Sequence, residues 1–202
     1  MKYGKFREKM KYGKFIDAED VLAFQLNFLA KGLDPNVEFN PAMQYIHIEP
    51  SDKGEGLLGV ASDGGRLHIV DPLHKAAVEV FGLTTGFWQV FKSNSRKRVW
   101  VARLEDSQTE GLKFPNWRKV IPNEKPIYET TFEGFSFTGS NKNYNHLAKF
   151  ITSFPEVTAL NLEYLQALGA GFRWKVEWIG PSKPIKFTEG NRLAVIMPMQ
   201  VS

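Results

Sequence analysis

Residues 60–70, VASDGGRLHIV, set an Asp-Gly-Gly corner between two β-prone runs. LLGVA leads into the corner, RLHIV leads out, and glycine supplies the positive-φ positions of a tight turn, so the stretch is predicted to be a hairpin. Upstream, MQYIHIEP is another strand-like run. Before it, between Phe15 and Ala30, Val21, Leu22, Phe24, Leu26, Phe28 and Leu29 recur at three- and four-residue spacing. Asp17, Glu19 and Asp20 would sit in the opening turn, where carboxylates suit the dipole, so this segment is predicted to be a helix that GLDPN stops. The hairpin is thus the end of a helix-then-meander unit.

The pattern restarts downstream. AAVEVFGL reads as a strand and TTGFWQVFKS as a short helix capped by Thr84 or Thr85, with RKRVWVARLED and EGLKF as further strands. FPNWRKVIPNEKP, rich in proline, reads as a linker between domains. After it IYETTFEGFSFTG alternates like a strand or hairpin, and NYNHLAKFITSF reads as a helix. VTALN is predicted to be a strand, with Asn161 capping the helix LEYLQALGAG, and FRWKVEWIG, PIKFTEG and RLAVIMPMQ to be three more strands. Repeated strand-helix-three-strand units imply an α+β fold in two domains, antiparallel sheets with helices on one face. The expected division is a basic extension over 1–14, a first domain over 15–122 and a shorter second domain over 123–202.

Composition narrows the chemistry. With no cysteine among 202 residues, disulfides, thiolate nucleophiles and cysteine zinc sites are excluded. No stretch has the apolar length of a membrane span and no secretory signal is recognisable, which reads as a cytoplasmic protein without a membrane partner. The net charge is +4, yet residues 1–15 alone carry +5, which leaves −1 for the rest. That segment repeats MKYGKF at 1–6 and 10–15, so Met10 is a candidate second start or residues 1–9 a duplicated leader. A phosphate-seeking basic arm and a solvated terminus are its two readings.

No hydrolase, zinc-protease, Walker or dinucleotide motif occurs. His47 and His68 fall inside predicted strands, His74 near a turn and His146 at a helix opening, without spaced carboxylate partners. No catalytic residue, metal site or cofactor is therefore expected.

Four separated stretches, in order, resemble the bacterial sliding clamp, the β subunit of the replicative DNA polymerase. ASDGGRL is similar to that family's (A)TDGHRL hairpin, KFPNWRKVIP to its FPDYRRVLP linker, NLEY to the Asn-x-x-Tyr opening its last helix, and AVIMPMQV to its C-terminal VVMPMRL. The resemblance covers most of residues 16–202 and implies a DNA-clamp-like fold matching the middle and last domains, the last one shortened between Pro122 and Val157.

The resemblance also implies a groove that grips a short hydrophobic peptide of the Gln-Leu-x-Leu-Phe type, carried by a polymerase, clamp loader or repair protein. Gly64 and Gly65 would let a peptide backbone approach, with Arg66 a forked donor to its carbonyls and Tyr164, behind Asn161, a flat wall. Leu67, Val120, Val195 and Ile196 would form an apolar floor, continued by Met197, Pro198 and Met199, the two methionines adapting to differing ligands. Pro115, Lys119 and Gln200 complete the implied set. Gly65 stands where the family has histidine, and Lys119 and Gln200 where it has arginine, so peptide preference is expected to differ.

The second implied activity is to encircle double-stranded DNA without sequence preference. Lys31, Lys92, Arg96, Lys97 and Arg98, with Lys142 and Lys149, lie at or near predicted helices that could face a channel. Two domains per chain would need three copies, a head-to-tail homotrimer, to close a six-domain ring. The expected function is a processivity factor, of a kind suited to a phage or mobile element. The alternative is a clamp-fold adaptor or decoy that binds partner peptides without encircling DNA.

Overall fold

The computed structural model describes residues 14–17, 21–92, 98–134, 147–156 and 159–199. Their contacts form two compact units. One holds the described residues up to Asp63 together with Ile69–Phe114; the other holds Gly64–His68 and the described residues from Pro115 onward.

In the first unit β1 (Lys14–Asp17) precedes helix α1 (Val21–Ala30), a 3-10 turn at Pro41–Gln44, and strands β2 (Ile46–Pro50) and β3 (Leu57–Ser62). Strand β4 (Arg66–Val70) follows the glycine corner, and its last two residues belong to this unit. Then come α2 (Lys75–Phe81), β5 (Gly86–Lys92), β6 (Arg98–Arg103) and the single turn α3 (Asp106–Thr109). The strand order is β1-β6-β5-β2-β3, and the registered pairs are antiparallel. Helix α1 buries Leu22, Leu26 and Leu29, and Gln25 Oε1 accepts the His74 amide at 2.9 Å, tying α1 to the start of α2. Gly59 in β3 is small for a reason: a Cβ there would come 2.5 Å from Leu29 Cδ1.

Several expectations fail in this unit. Residues 14–17 form an edge strand against β6 instead of the first turn of α1, Lys14 opposite Val101. AAVEVFGL and TTGFWQVFKS exchange roles. Lys75–Phe81 is helical because Gly82, at φ 56°, ends it, and the Leu83 amide reaches back to the Val78 carbonyl at 3.0 Å. Gly86–Lys92 is a strand because its aromatic and β-branched residues fit a pleated surface, with Trp88 opposite Ile46 on one side and Arg103 on the other. EGLKF is no strand: Gly111 takes φ 80° and turns the chain, and Phe114 then stacks on His47 with centroids 5.3 Å apart.

The second unit contains a 3-10 segment at Trp117–Val120, strand β7 (Tyr128–Glu133), helical residues 147–151, helix α4 (Leu162–Ala167), and strands β8 (Arg173–Trp178), β9 (Ile185–Glu189) and β10 (Arg192–Ile196). Its order runs β10-β9-β8-β7, antiparallel throughout, with the start of β4 bordering β10. Strand β8 alternates as period two requires, sending Trp174, Val176 and Trp178 into the core. There the rings of Phe132, Phe150, Phe154 and Trp178 follow one another at centroid spacings of 4.6, 5.2 and 6.1 Å, with Phe187 6.1 Å from Phe132. Of VTALN, Val157 and Thr158 lie outside the described residues, and Ala159 makes a single bridge to Met199.

On the opposite face of this sheet Glu129 and Glu177 stand directly across β7 and β8, a repulsive pairing. Lys175 resolves it, reaching Glu129 at 2.9 Å and Glu177 at 3.1 Å, and Lys186 adds a 2.6 Å pair to Glu177. Partial burial disfavours the Glu177 charge, but the hydrogen bonds from Lys186 and Lys175 outweigh it and hold the carboxyl below its ordinary 4.5. A carboxylate with a depressed folded pKa stabilises above its unfolded pKa and loses that contribution as pH falls through the folded value. Urea unfolding should therefore separate wild type from Glu177→Gln at pH 7, and the gap should close below about pH 4.

Candidate peptide site

The two glycines of the corner serve different ends. Gly64 is exposed and takes φ 91°, a conformation that L side chains avoid. Gly65 takes no positive φ. Its carbonyl accepts the Met197 amide at 2.9 Å, which fastens the end of β10 to the corner. A Cβ on Gly65 would stand 2.5 Å from Tyr164 Oη, and the Arg66 guanidinium lies 4.5 Å from the centre of the same ring.

Tyr164 is presented by α4. Asn161, in extended conformation, caps that helix by accepting the Glu163 amide on Oδ1 at 2.9 Å. Leu165 and Ala167 are buried and seat the helix, while Tyr164 remains half-buried. Beyond β10, Pro198 has no amide hydrogen to give, and the Met199 amide donates to the Ala159 carbonyl at 2.9 Å. The closing segment is thus pinned twice, once to the corner and once just ahead of α4. Met197 and Pro198 are left half-buried and Met199 is 54 % exposed.

Gly65, Arg66, Tyr164 and Met197 therefore meet, although they come from three distant parts of the chain. Leu67, Val195 and Ile196 do not offer a surface: at 3 %, 1 % and 0 % exposure they form the packed layer beneath, which corrects their expected place in the apolar floor. Lys119 and Val120 belong to the 3-10 segment and are exposed, Trp117 there is buried, and Pro115 lies just before it, its carbonyl accepting the Trp117 amide at 2.8 Å. Arg118 lies over the Trp117 ring at 4.0 Å, a neighbour that sequence reading passed over although the Trp-Arg dipeptide announced it. Gln200 lies outside the described residues. Ala159, whose carbonyl holds Met199, carried no local signal, because a lone bridge depends wholly on tertiary placement.

The basic residues divide otherwise than expected. Lys31, at the end of α1, and Lys149, on the helical residues 147–151, are exposed. Lys92 and Arg98 sit on strands β5 and β6, which removes the helix-based reason for aiming them at a channel. Arg96, Lys97 and Lys142, like His146, lie outside the described residues. Among the described residues no cluster of three or more His, Asp or Glu could hold a metal, and no helix is long and apolar enough to cross a membrane.

No family model matches the sequence, and no curated protein matches it. Solved structures do. The DNA polymerase III β subunit of Borrelia burgdorferi superposes at a TM-score of 0.56 with 14% identity, covering 100% of this chain and 70% of that one. The Helicobacter pylori β clamp bound to a DNA ligase peptide gives 0.53 and 15%, covering 94% of this chain and 66% of that one. The Bacillus subtilis sliding clamp gives 0.54 and 11%, covering 95% and 65%. This chain spans about two thirds of the length of these clamps. The chain has the α+β fold of the bacterial DNA polymerase III β sliding clamps.

Proposed function

We propose that this protein is a sliding-clamp-like processivity factor that docks a partner's hydrophobic peptide on the second unit and tethers that partner to duplex DNA. The observation that carries the reading is the meeting of Gly65, Arg66, Tyr164 and Met197, drawn together by the Met197–Gly65 hydrogen bond. The likeness to a clamp solved with a DNA ligase peptide supports it. The half-buried Met197 and Pro198 beside the exposed Met199 give an apolar, adaptable edge next to an aromatic wall. Partners of this chemistry are a polymerase, a clamp loader or a repair protein, and no catalytic step is assigned to the chain. A ring of three copies around non-specifically bound DNA belongs to the same proposal, with Lys31 and Lys149 its exposed cation candidates.

The peptide arm is tested by fluorescence anisotropy with labelled Gln-Leu-Ser-Leu-Phe. Wild type should bind, and Met199→Asp should weaken binding about tenfold or more by placing a charge on the apolar edge. Because Met199 is largely exposed, this variant keeps its fold, whereas Leu67→Asp would bury a charge and report only on folding. Failure of wild type to bind, or equal binding by Met199→Asp, removes the groove. For the ring arm, a monomer by light scattering without affinity for nicked circular DNA removes encirclement.

A further inference from the structure

The ring of Tyr164 occupies the space in which a side chain at position 65 would lie. A Cβ there would approach Oη to 2.5 Å, Cε2 to 2.9 Å and Cζ to 3.1 Å. Gly65 lacks a positive φ. The glycine is therefore required for room and not for torsion. Arg66, the next residue, places its guanidinium over the ring at 4.5 Å, an attraction between cation and π face that keeps the ring down on the corner. The same Gly65 peptide unit accepts the Met197 amide at 2.9 Å. One backbone group thus touches the ring on one side and holds the end of β10 on the other.

We propose that Gly65 and Tyr164 act as a single steric pair that sets the width of the peptide site, with Tyr164 a positioning residue seated on a bare corner beneath Arg66. The proposal rests on the peptide-docking reading above and assigns to it the residue that decides which apolar peptides fit. Alanine at 65 leaves two ways out. Either the ring rotates off the corner, or the corner shifts and draws Met197 with it; packed groups accept neither without loss. The hydroxyl is the atom met first, so deleting it relieves the tightest contact and leaves the ring with the smaller shift that Cε2 at 2.9 Å and Cζ at 3.1 Å still require.

The experiment titrates labelled Gln-Leu-Ser-Leu-Phe against wild type, Gly65→Ala, Tyr164→Phe and the double variant. Methyl-13C methionine spectra of each peptide-free protein accompany the titrations. The chain has five methionines, and Met43, buried in the first unit, serves as the fixed reference. Tyr164→Phe alone sets the reference for the double variant, so that the cost of alanine at 65 is read with and without the hydroxyl. Gly65→Ala should bind about tenfold more weakly and shift the Met197 methyl while Met43 stays put, and the double variant, relieved of the hydroxyl contact but not of the ring carbons, should recover a measurable part of that loss. Equal binding by Gly65→Ala, or a loss that is the same with tyrosine or phenylalanine at 164, overturns the pairing while leaving the groove intact. No binding by wild type overturns the groove and the pairing together. Should Gly65→Ala not fold, Tyr164→Leu carries the test: binding about tenfold weaker with Met43 unmoved supports the pairing, and unchanged binding overturns it.

Discussion

Phe187→Ala is expected to destabilise the second unit by about 3–5 kcal/mol, the range for emptying a fully buried aromatic site. Phe187 is 0 % exposed at the centre of β9, with the Phe132 ring 6.1 Å away and the Phe150 ring 6.3 Å away. Those rings come from β7 and from the helical residues 147–151, so the void would open where strand and helix meet. It could not collapse easily, because Trp174 and Trp178 on β8 are themselves fully buried and hold the neighbouring layer. Tryptophan fluorescence in urea follows the effect, and a midpoint unchanged from wild type would contradict the placement of Phe187 in this cluster.

Gly134→Ala should cost about 3 kcal/mol or more for a different reason, since overpacking and lost backbone hydrogen bonds add. A Cβ on Gly134 would fall inside the carbonyl of Gly169, which is backbone and has no rotamer to change. Gly134 also donates its amide to the Phe172 carbonyl at 2.9 Å and accepts the Gly171 amide at 3.3 Å. Parting the strands would break both bonds just beyond the Glu133–Arg173 end of the β7–β8 pair. Amide exchange at Gly134 and Gly171 should accelerate along with the loss of stability, and wild-type protection in the variant would refute the close approach.

Much of the fold was legible because its signals are local. The period of three and four in α1, the alternation in β8 and the asparagine ahead of α4 each follow from one short window. The exchange of α2 and β5 shows where such windows fail. AAVEVF suits either state, and the deciding residue was Gly82 behind it, a helix stop that looks like any turn glycine until the Leu83 amide is seen to reach Val78. Residues 14–17 misled for another reason: an edge strand owes its state to the partner, here β6, which lies over eighty residues away.

The site was legible to a different depth. Its motifs named the segments but not which side chains face outward. Leu67, Val195 and Ile196 carry the apolar signature of a docking floor and of a core strand equally, and burial selects the second. The reason for glycine at 65 could not be read locally, because the atoms that exclude a side chain belong to a residue about one hundred positions later.

The chain passes between its two units three times, at 63/64, 68/69 and 114/115. Cutting it at the last crossing would not yield two autonomous halves. A fragment starting at Pro115 would lack the five residues Gly64–His68, and with them the acceptor for Met197 and the bed for Tyr164. Recombination that swaps whole halves between related genes would carry the aromatic wall without its seat, so the corner and the C-terminal region must be inherited as one module.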